Sequence, residues 1–125
     1  MDNQNIAIIG LGRIGSAFLR NMLGRRERGV NLVAVAESGD TPGRQMALDA
    51  GLKVASLSEI VDMGDGVDIL FDLTGIAAVR REIREKLMAQ NNHHTVIASE
   101  TIARLIWAMT TDDDLPVIAG RSTGY

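Results

Sequence analysis

The sequence predicts an α/β fold: one domain, residues 1–125, built on a doubly wound, mostly parallel sheet of about six strands. Three observations predict it. Short, β-branched apolar runs alternate with segments of helical period. The first run passes directly into three glycines spaced G-x-G-x-x-G, Gly10, Gly12 and Gly15. The second run ends on an acid, Glu37, 22 residues beyond Gly15.

The elements follow in order. "IAII" (6–9) is four apolar residues without a polar break, as expected of a strand buried on both faces. The glycines then open a helix. "RRER", bracketed by Gly24 and Gly29, makes a polar connection into the second strand, "LVAVA" (32–36). Thr41 followed by Pro42 reads as an N-cap and a first-turn proline. Lys53–Val54 is the candidate third strand. Ser56-x-x-Glu59 is a capping box ahead of a short helix. "VDMGDGVD" (61–68) uses two glycines to leave that helix, and "VDILFDL" (67–73) is the next strand. Ile76, Val79, Ile83 and Leu87 mark one helix face, with Glu82 and Lys86 as an exposed pair. "TVIA" (95–98) is the fifth strand. Ile102, Leu105, Ile106 and Met109 share the face of a last helix before a sixth strand, "PVIA" (116–119). Right-handed crossovers link such strands into an open sheet.

Composition narrows the function. The chain has 125 residues, a formal net charge of −3 and no cysteine. It therefore has no disulfide, thiolate ligand or thiol nucleophile. The charge argues against a general nucleic-acid binder. No apolar run approaches the ~20 residues of a membrane span. "MDNQN" has no basic segment ahead of the first apolar run, so no signal peptide is read and the expected address is the cytoplasm.

The glycine loop carries the chemistry. Gly10 permits the tight turn out of the strand, Gly12 lets a pyrophosphate approach the backbone, and Gly15 lets helix and strand pack closely. The N–H groups of residues 13–16 face the phosphates, with Arg13 and Ile14 at the variable positions and Ser16 as a hydroxyl donor. A carboxylate at Glu37 accepts both ribose hydroxyls and repels a 2′-phosphate. The expected cofactor is therefore NAD rather than NADP, although Arg44 lies near enough to weaken that preference. "FDLTG" (71–75) is the third cofactor segment. Thr74 and Gly75 lie along the cofactor, or Thr74 caps the next helix; Asp72 is hydrogen-bonded within the loop layer or faces the cleft. The cofactor set is thus Gly10, Gly12, Arg13, Ile14, Gly15, Glu37, Thr74 and Gly75.

Other candidates read as structure. His93 and His94 sit in a polar turn without a third metal partner nearby. Asp112 to Asp114 form a solvated connection, and Arg80, Arg81 and Arg84 the wet face of their helix. Trp107 is core or a subunit contact.

"NIAIIGLGRIGSAFL", Glu37 and "VDILFDLTGIAAVRREI" resemble the N-terminal half of homoserine and aspartate dehydrogenases, the glucose–fructose oxidoreductase family and acylating acetaldehyde dehydrogenases. The ending "TVIASETIARLIWAM" (95–109) brings the chain nearest to the Rossmann domains ahead of some bacterial sensor kinases. The resemblance implies a Rossmann fold and a dinucleotide ligand, but the catalytic parts do not carry over. Where the oxidoreductases place a lysine after the fifth strand, this chain has Ser99-Glu100-Thr101, and the cysteine of the acylating enzymes is absent. The expectation is an NAD(H)-binding module with a regulatory or sensing role, no catalytic residue and no metal. A homo-oligomer, a dimer through the last helix, or a separate partner protein is expected with it. The alternatives are a dehydrogenase-type oxidoreductase, or the cofactor subunit of a split one. A nucleotide-gated regulator of the potassium-transport type shares "IGLGRxG", but its "GDAT"-like third strand is missing here.

Overall fold

In the computed structural model, which describes residues 3–112 and Leu115, the sheet is fully parallel with strand order β2-β1-β3-β4. The strands are β1 (Gln4–Ile9), β2 (Val30–Ala36), β3 (Ile69–Asp72) and β4 (Val96–Ala98). The helices are α1 (Arg13–Leu23), α2 (Pro42–Asp49), α3 (Leu57–Val61), α4 (Ala77–Ala89) and α5 (Glu100–Thr110).

The apolar runs are unbroken because both sheet faces are covered. Ile6 and Ile8 of β1 join a core with Leu11, Phe18, Leu19 and Ala103; Ala7 and Ile9 join a second core with Ile60, Ile83 and Leu87. In the first core the Phe18 and Phe71 rings meet in a tilted pair, with centroids 4.8 Å apart and planes at 54°. The β1–β2 register slips between Ile6 and Ala7, giving β2 one extra residue. Leu32 and Val35, three apart, consequently reach the same core.

Four strands stand among the described residues, not six. Lys53–Val54 makes only a single bridge, Val35 to Val54. The Val35 N–H donates to the Lys53 carbonyl at 2.9 Å and the Ala55 N–H to the Val35 carbonyl at 2.8 Å. The chain cannot extend further as a strand, because Ser56 at once caps α3. Its hydroxyl accepts from the Glu59 N–H while the Glu59 carboxylate accepts from the Ser56 N–H, both at 3.1 Å. The sixth candidate, 116–119, lies outside the described residues, as do Asp113 and Asp114. Thr41 caps α2 with Pro42 in its first turn, as the sequence indicates.

Two helix faces differ from expectation. In α4, Ile83 and Leu87 are buried, but Ile76 precedes the helix and is 53% exposed, while Arg80 is buried at 6%. In α5 the face rotates. Ile102, Leu105 and Met109 are 44, 56 and 76% exposed, and Glu100 and Ala103 are buried. Polar ties to α1 set this phase: Asn21 Nδ2 donates to Thr110 Oγ1 at 3.0 Å, and Arg25 Nη2 to the Thr110 carbonyl at 2.7 Å. The small Ala103 lets that side approach the sheet. No helix of the described residues is long and apolar enough to cross a membrane.

Candidate functional site

The carboxyl ends of β1, β2 and β3 meet at one crevice, where the strand order reverses from β1 toward β2 on one side and β3 on the other. β1 leaves the sheet through Gly10, whose φ of +96° suits a residue without Cβ. A Cβ there would also lie 2.8 Å from the Thr74 nitrogen, so β3's exit packs directly on the turn. The loop is fastened to both neighbours. The Gly10 N–H donates to the Ala36 carbonyl at 2.9 Å, and the Leu73 N–H to the Ile9 carbonyl at 2.8 Å. The buried Leu11 side chain anchors the loop in the core.

Gly12 and Gly15 play opposite parts. A Cβ on Gly15 would collide with the Gly10 carbonyl oxygen, so Gly15 is the contact that seats α1 on the loop. A Cβ on Gly12 would meet nothing within 4 Å. Gly12 caps α1 with no side-chain hydrogen bond, and no acid stands in the first turn. The helix thus presents backbone donors and its positive dipole end to open space.

Glu37 ends β2 beside this loop. Its Oε1 accepts from the Leu11 N–H at 2.7 Å and its Oε2 from the Gly39 N–H at 2.9 Å. The carboxylate therefore braces the glycine loop against the chain that follows β2. Each oxygen keeps a lone pair beyond the bond it accepts.

These parts border a cleft of ≈ 750 Å³. Gly10, Gly12, Arg13, Glu37 and Thr74 line it. Ile14 and Gly15 are buried and do not line the cleft. Gly75, with φ +70°, turns the chain toward α4 and does not line the cleft. Ser16 is not a free donor, since its hydroxyl donates to the Leu11 carbonyl at 2.9 Å.

Thr74 is tied inward. Its N–H and hydroxyl donate to Asp72 Oδ1 at 3.1 and 2.7 Å, and its hydroxyl accepts from the Ile76 N–H at 3.1 Å. The hydroxyl therefore organises the turn into α4. Asp72 is wholly buried in the loop layer, and its Oδ2 accepts from Arg80 Nε at 3.1 Å. Arg80 is thus not on the wet face of α4, because a buried carboxylate inside a strand requires a partner. Arg81 and Arg84 are exposed.

Val54, Ala55, Ser56 and Leu57, with Ile76 and Val79, also line the cleft and are not marked as ligand-facing by the sequence; Arg44, which the sequence places near the ligand, lines it too. The available signal was the Ser56–Glu59 box, which fixes a helix start at this end of the sheet. At the β4–α5 junction, Glu100 is 2% exposed and pairs with Arg104 Nε at 3.4 Å. His93 and His94 are exposed at the amino end of the sheet, where His94 Nε2 lies 2.6 Å from Asp68 Oδ1. Among the described residues no group of three His, Asp or Glu side chains is placed to hold a metal.

The fold is that of solved dehydrogenases. A homoserine dehydrogenase from S. aureus superposes with a TM-score of 0.60 at 16% identity, over 88% of this chain and 30% of that one. One from Thiobacillus denitrificans gives 0.57 at 23% identity, over 88% and 27%. A Bacteroides fragilis protein described as an NADP oxidoreductase gives 0.56 at 15%, over 87% and 41%. The chain thus spans under a third of each homoserine dehydrogenase and about two fifths of the third protein. A search of curated proteins finds no match. The family model described as "Homoserine dehydrogenase, NAD binding domain" matches residues 10–104. The cleft fits that ligand: an uncapped helix start, free space outside Gly12 and a carboxylate at the end of β2. The chain is an NAD(P)-binding Rossmann domain and belongs to the homoserine dehydrogenase NAD-binding-domain family.

Proposed function

We propose that this domain is a cytoplasmic NAD(H)-binding module with a regulatory role, holding its dinucleotide without turning it over. The observation that carries the reading is the opening at Gly12, where the backbone donors of α1 face space that no side chain fills. The N–H groups of residues 13–15 receive the pyrophosphate, and Arg13 adds charge at its edge. Glu37 accepts the ribose hydroxyls through its remaining lone pairs and opposes a 2′-phosphate, which favours NAD over NADP. Gly10, Gly15, Thr74 and Gly75 shape the turns around them. When bound, the nicotinamide supplies a hydride donor or acceptor. Against turnover stands position 100, where the enzymes it resembles carry a lysine nearby and this chain carries a buried carboxylate paired to Arg104.

For the oligomer, we propose a dimer through α5. Its exposed Ile102, Leu105 and Met109 follow i, i+3, i+7 spacing, a narrow helix seam. The charges within α5, Glu100 and Arg104, pair with each other, so two copies meeting there oppose no like charge.

The second reading is a dehydrogenase-type oxidoreductase, or the cofactor subunit of a split one; the family match favours it. One experiment separates the two. Thermal shift with NAD, NADH and NADP tests binding, and nicotinamide absorbance over a panel of aldehydes, sugars and oxo acids tests turnover. Stabilisation by NAD without turnover is expected. No stabilisation at millimolar dinucleotide would remove the binding reading, and turnover abolished by Glu100→Ala would establish the enzyme.

A further inference from the structure

Resting on the dinucleotide reading of the same cleft, we infer that Asp72 is a positioning residue for the ligand. It lies outside the cleft, and its carboxylate fixes the exit of β3 against the glycine turn that receives the diphosphate.

Stability alone does not account for this residue. Asp72 ends β3 with no exposed surface, level with Ile9 of β1, and its partner Arg80 is also buried. Packed apolar side chains of similar volume often replace such a buried pair without loss of stability. The bonds that Asp72 accepts point to another role, because they converge on one turn. Oδ1 accepts from both the Thr74 N–H and the Thr74 hydroxyl, at 3.1 and 2.7 Å. The hydroxyl in turn accepts from the Ile76 N–H at 3.1 Å, and the Ile76 carbonyl accepts from the Val79 N–H at 3.1 Å as α4 begins. Oδ2 holds the same helix from within, through Arg80 Nε. Thr74, Ile76 and Val79 line the cleft. One buried carboxylate thus sets a wall that it does not itself join.

That wall bears on the glycine loop. The Thr74 nitrogen, the Leu73 carbonyl carbon and Thr74 Cα stand 2.8, 2.9 and 3.0 Å from where a Gly10 Cβ would be, so the two turns touch backbone to backbone. On the other side of the loop, Glu37 accepts from the Leu11 N–H. The turn at Gly10 and Leu11 is therefore held between carboxylates on two strands, directly by Glu37 and through Thr74 by Asp72. Hydrogen bonds weaken steeply with misalignment, and a binding constellation has to be held to within about 0.5 Å. A Thr74 freed from Asp72 releases one side of the turn ahead of α1, and the cost falls on the ligand.

The test is calorimetric titration with NAD of the whole chain and three variants, each well below its own melting temperature. Thr74→Val keeps the shape and removes the hydroxyl. The Ile76 N–H that it abandons is exposed and turns to water, so the melting temperature should stay close to the parent's. NAD should nevertheless bind about tenfold or more weakly. Thr74→Ser restores the hydroxyl and should bind within about threefold of the parent. Asp72→Asn cannot serve both partners, because an amide that accepts from Thr74 turns its nitrogen toward Arg80 Nε. It should weaken NAD by about tenfold or more, and where it fails to fold the Thr74 pair decides. Thr74→Val binding within about threefold of the parent would overturn the inference and leave the dinucleotide reading standing. So would Thr74→Ser binding as weakly as Thr74→Val. A parent that does not bind NAD at millimolar concentration would overturn both.

Discussion

Gly12 and Gly15 are three residues apart in one motif, yet substitution separates them. A side chain on Gly12 enters empty space, so Gly12→Val should leave the circular dichroism spectrum and melting temperature near those of the parent while dinucleotide binding is lost. Retained binding would show that the ligand does not cross this loop. Gly15→Ala drives a methyl group into the Gly10 carbonyl, and should cost about 1–3 kcal/mol or more in denaturant unfolding. Glu37 has two duties and its replacement has two readouts. Glu37→Ala should narrow the NAD-to-NADP affinity ratio, because the charge opposing the 2′-phosphate is gone. It also leaves the Leu11 and Gly39 N–H groups without their acceptor, and should cost about 1–3 kcal/mol in stability. An unchanged ratio with lowered stability would make Glu37 a brace for the loop alone.

At the level of elements, β3 and α4 are joined by the buried Asp72–Arg80 pair. Arg80→Met removes the cation and leaves a buried carboxylate, so a loss of about 3–5 kcal/mol is expected. Adding Asp72→Asn should recover part of that loss, since the amide oxygen still accepts from Thr74 and no buried charge remains. A double variant no more stable than Arg80→Met alone would show that the pair is not coupled. The other end of the sheet gives a pH dependence. The Asn5 N–H and then His94 hold the Asp68 carboxyl below its ordinary value. A folded value below the unfolded one, near ~3.9, means the contribution is complete above that pH and is lost as pH falls through the folded value. The Ser56 N–H, with the Ser56 hydroxyl, does the same for Glu59. Melting temperature should fall as pH drops below about 4, and the gap between the parent and Asp68→Asn should close over that range. A gap constant with pH would exclude Asp68 as the titrating group.

Across the whole molecule, what the sequence reveals is what depends on neighbours in the chain. The glycine loop, the Thr41 and Ser56 caps and the strands at 6–9, 32–36, 67–73 and 95–98 are local patterns, and each appears in the fold. The second cleft wall was hidden because residues 54–57 and 76–79 come together only through the strand order. Arg80 looked solvated because its helix faces are read by period, and its partner lies eight residues away in a strand. In α5 the period holds and the phase is shifted, so that Ile106 alone of the expected face meets the core. Ile106 packs, partly buried, on the first core, but Ala103 and the Thr110 ties turn Ile102, Leu105 and Met109 outward. The consequence is an apolar stripe facing outward, and it yields the last prediction. If α5 pairs with a second copy, mass measured by sedimentation or light scattering should rise from monomer toward dimer over micromolar concentrations. Leu105→Lys, at the centre of the stripe, places two like charges across the two-fold axis and should return the protein to monomer. Because Leu105 is 56% exposed in the single chain, that substitution should leave the monomer's own fold intact by circular dichroism. A parent that stays monomeric at hundreds of micromolar would exclude self-pairing.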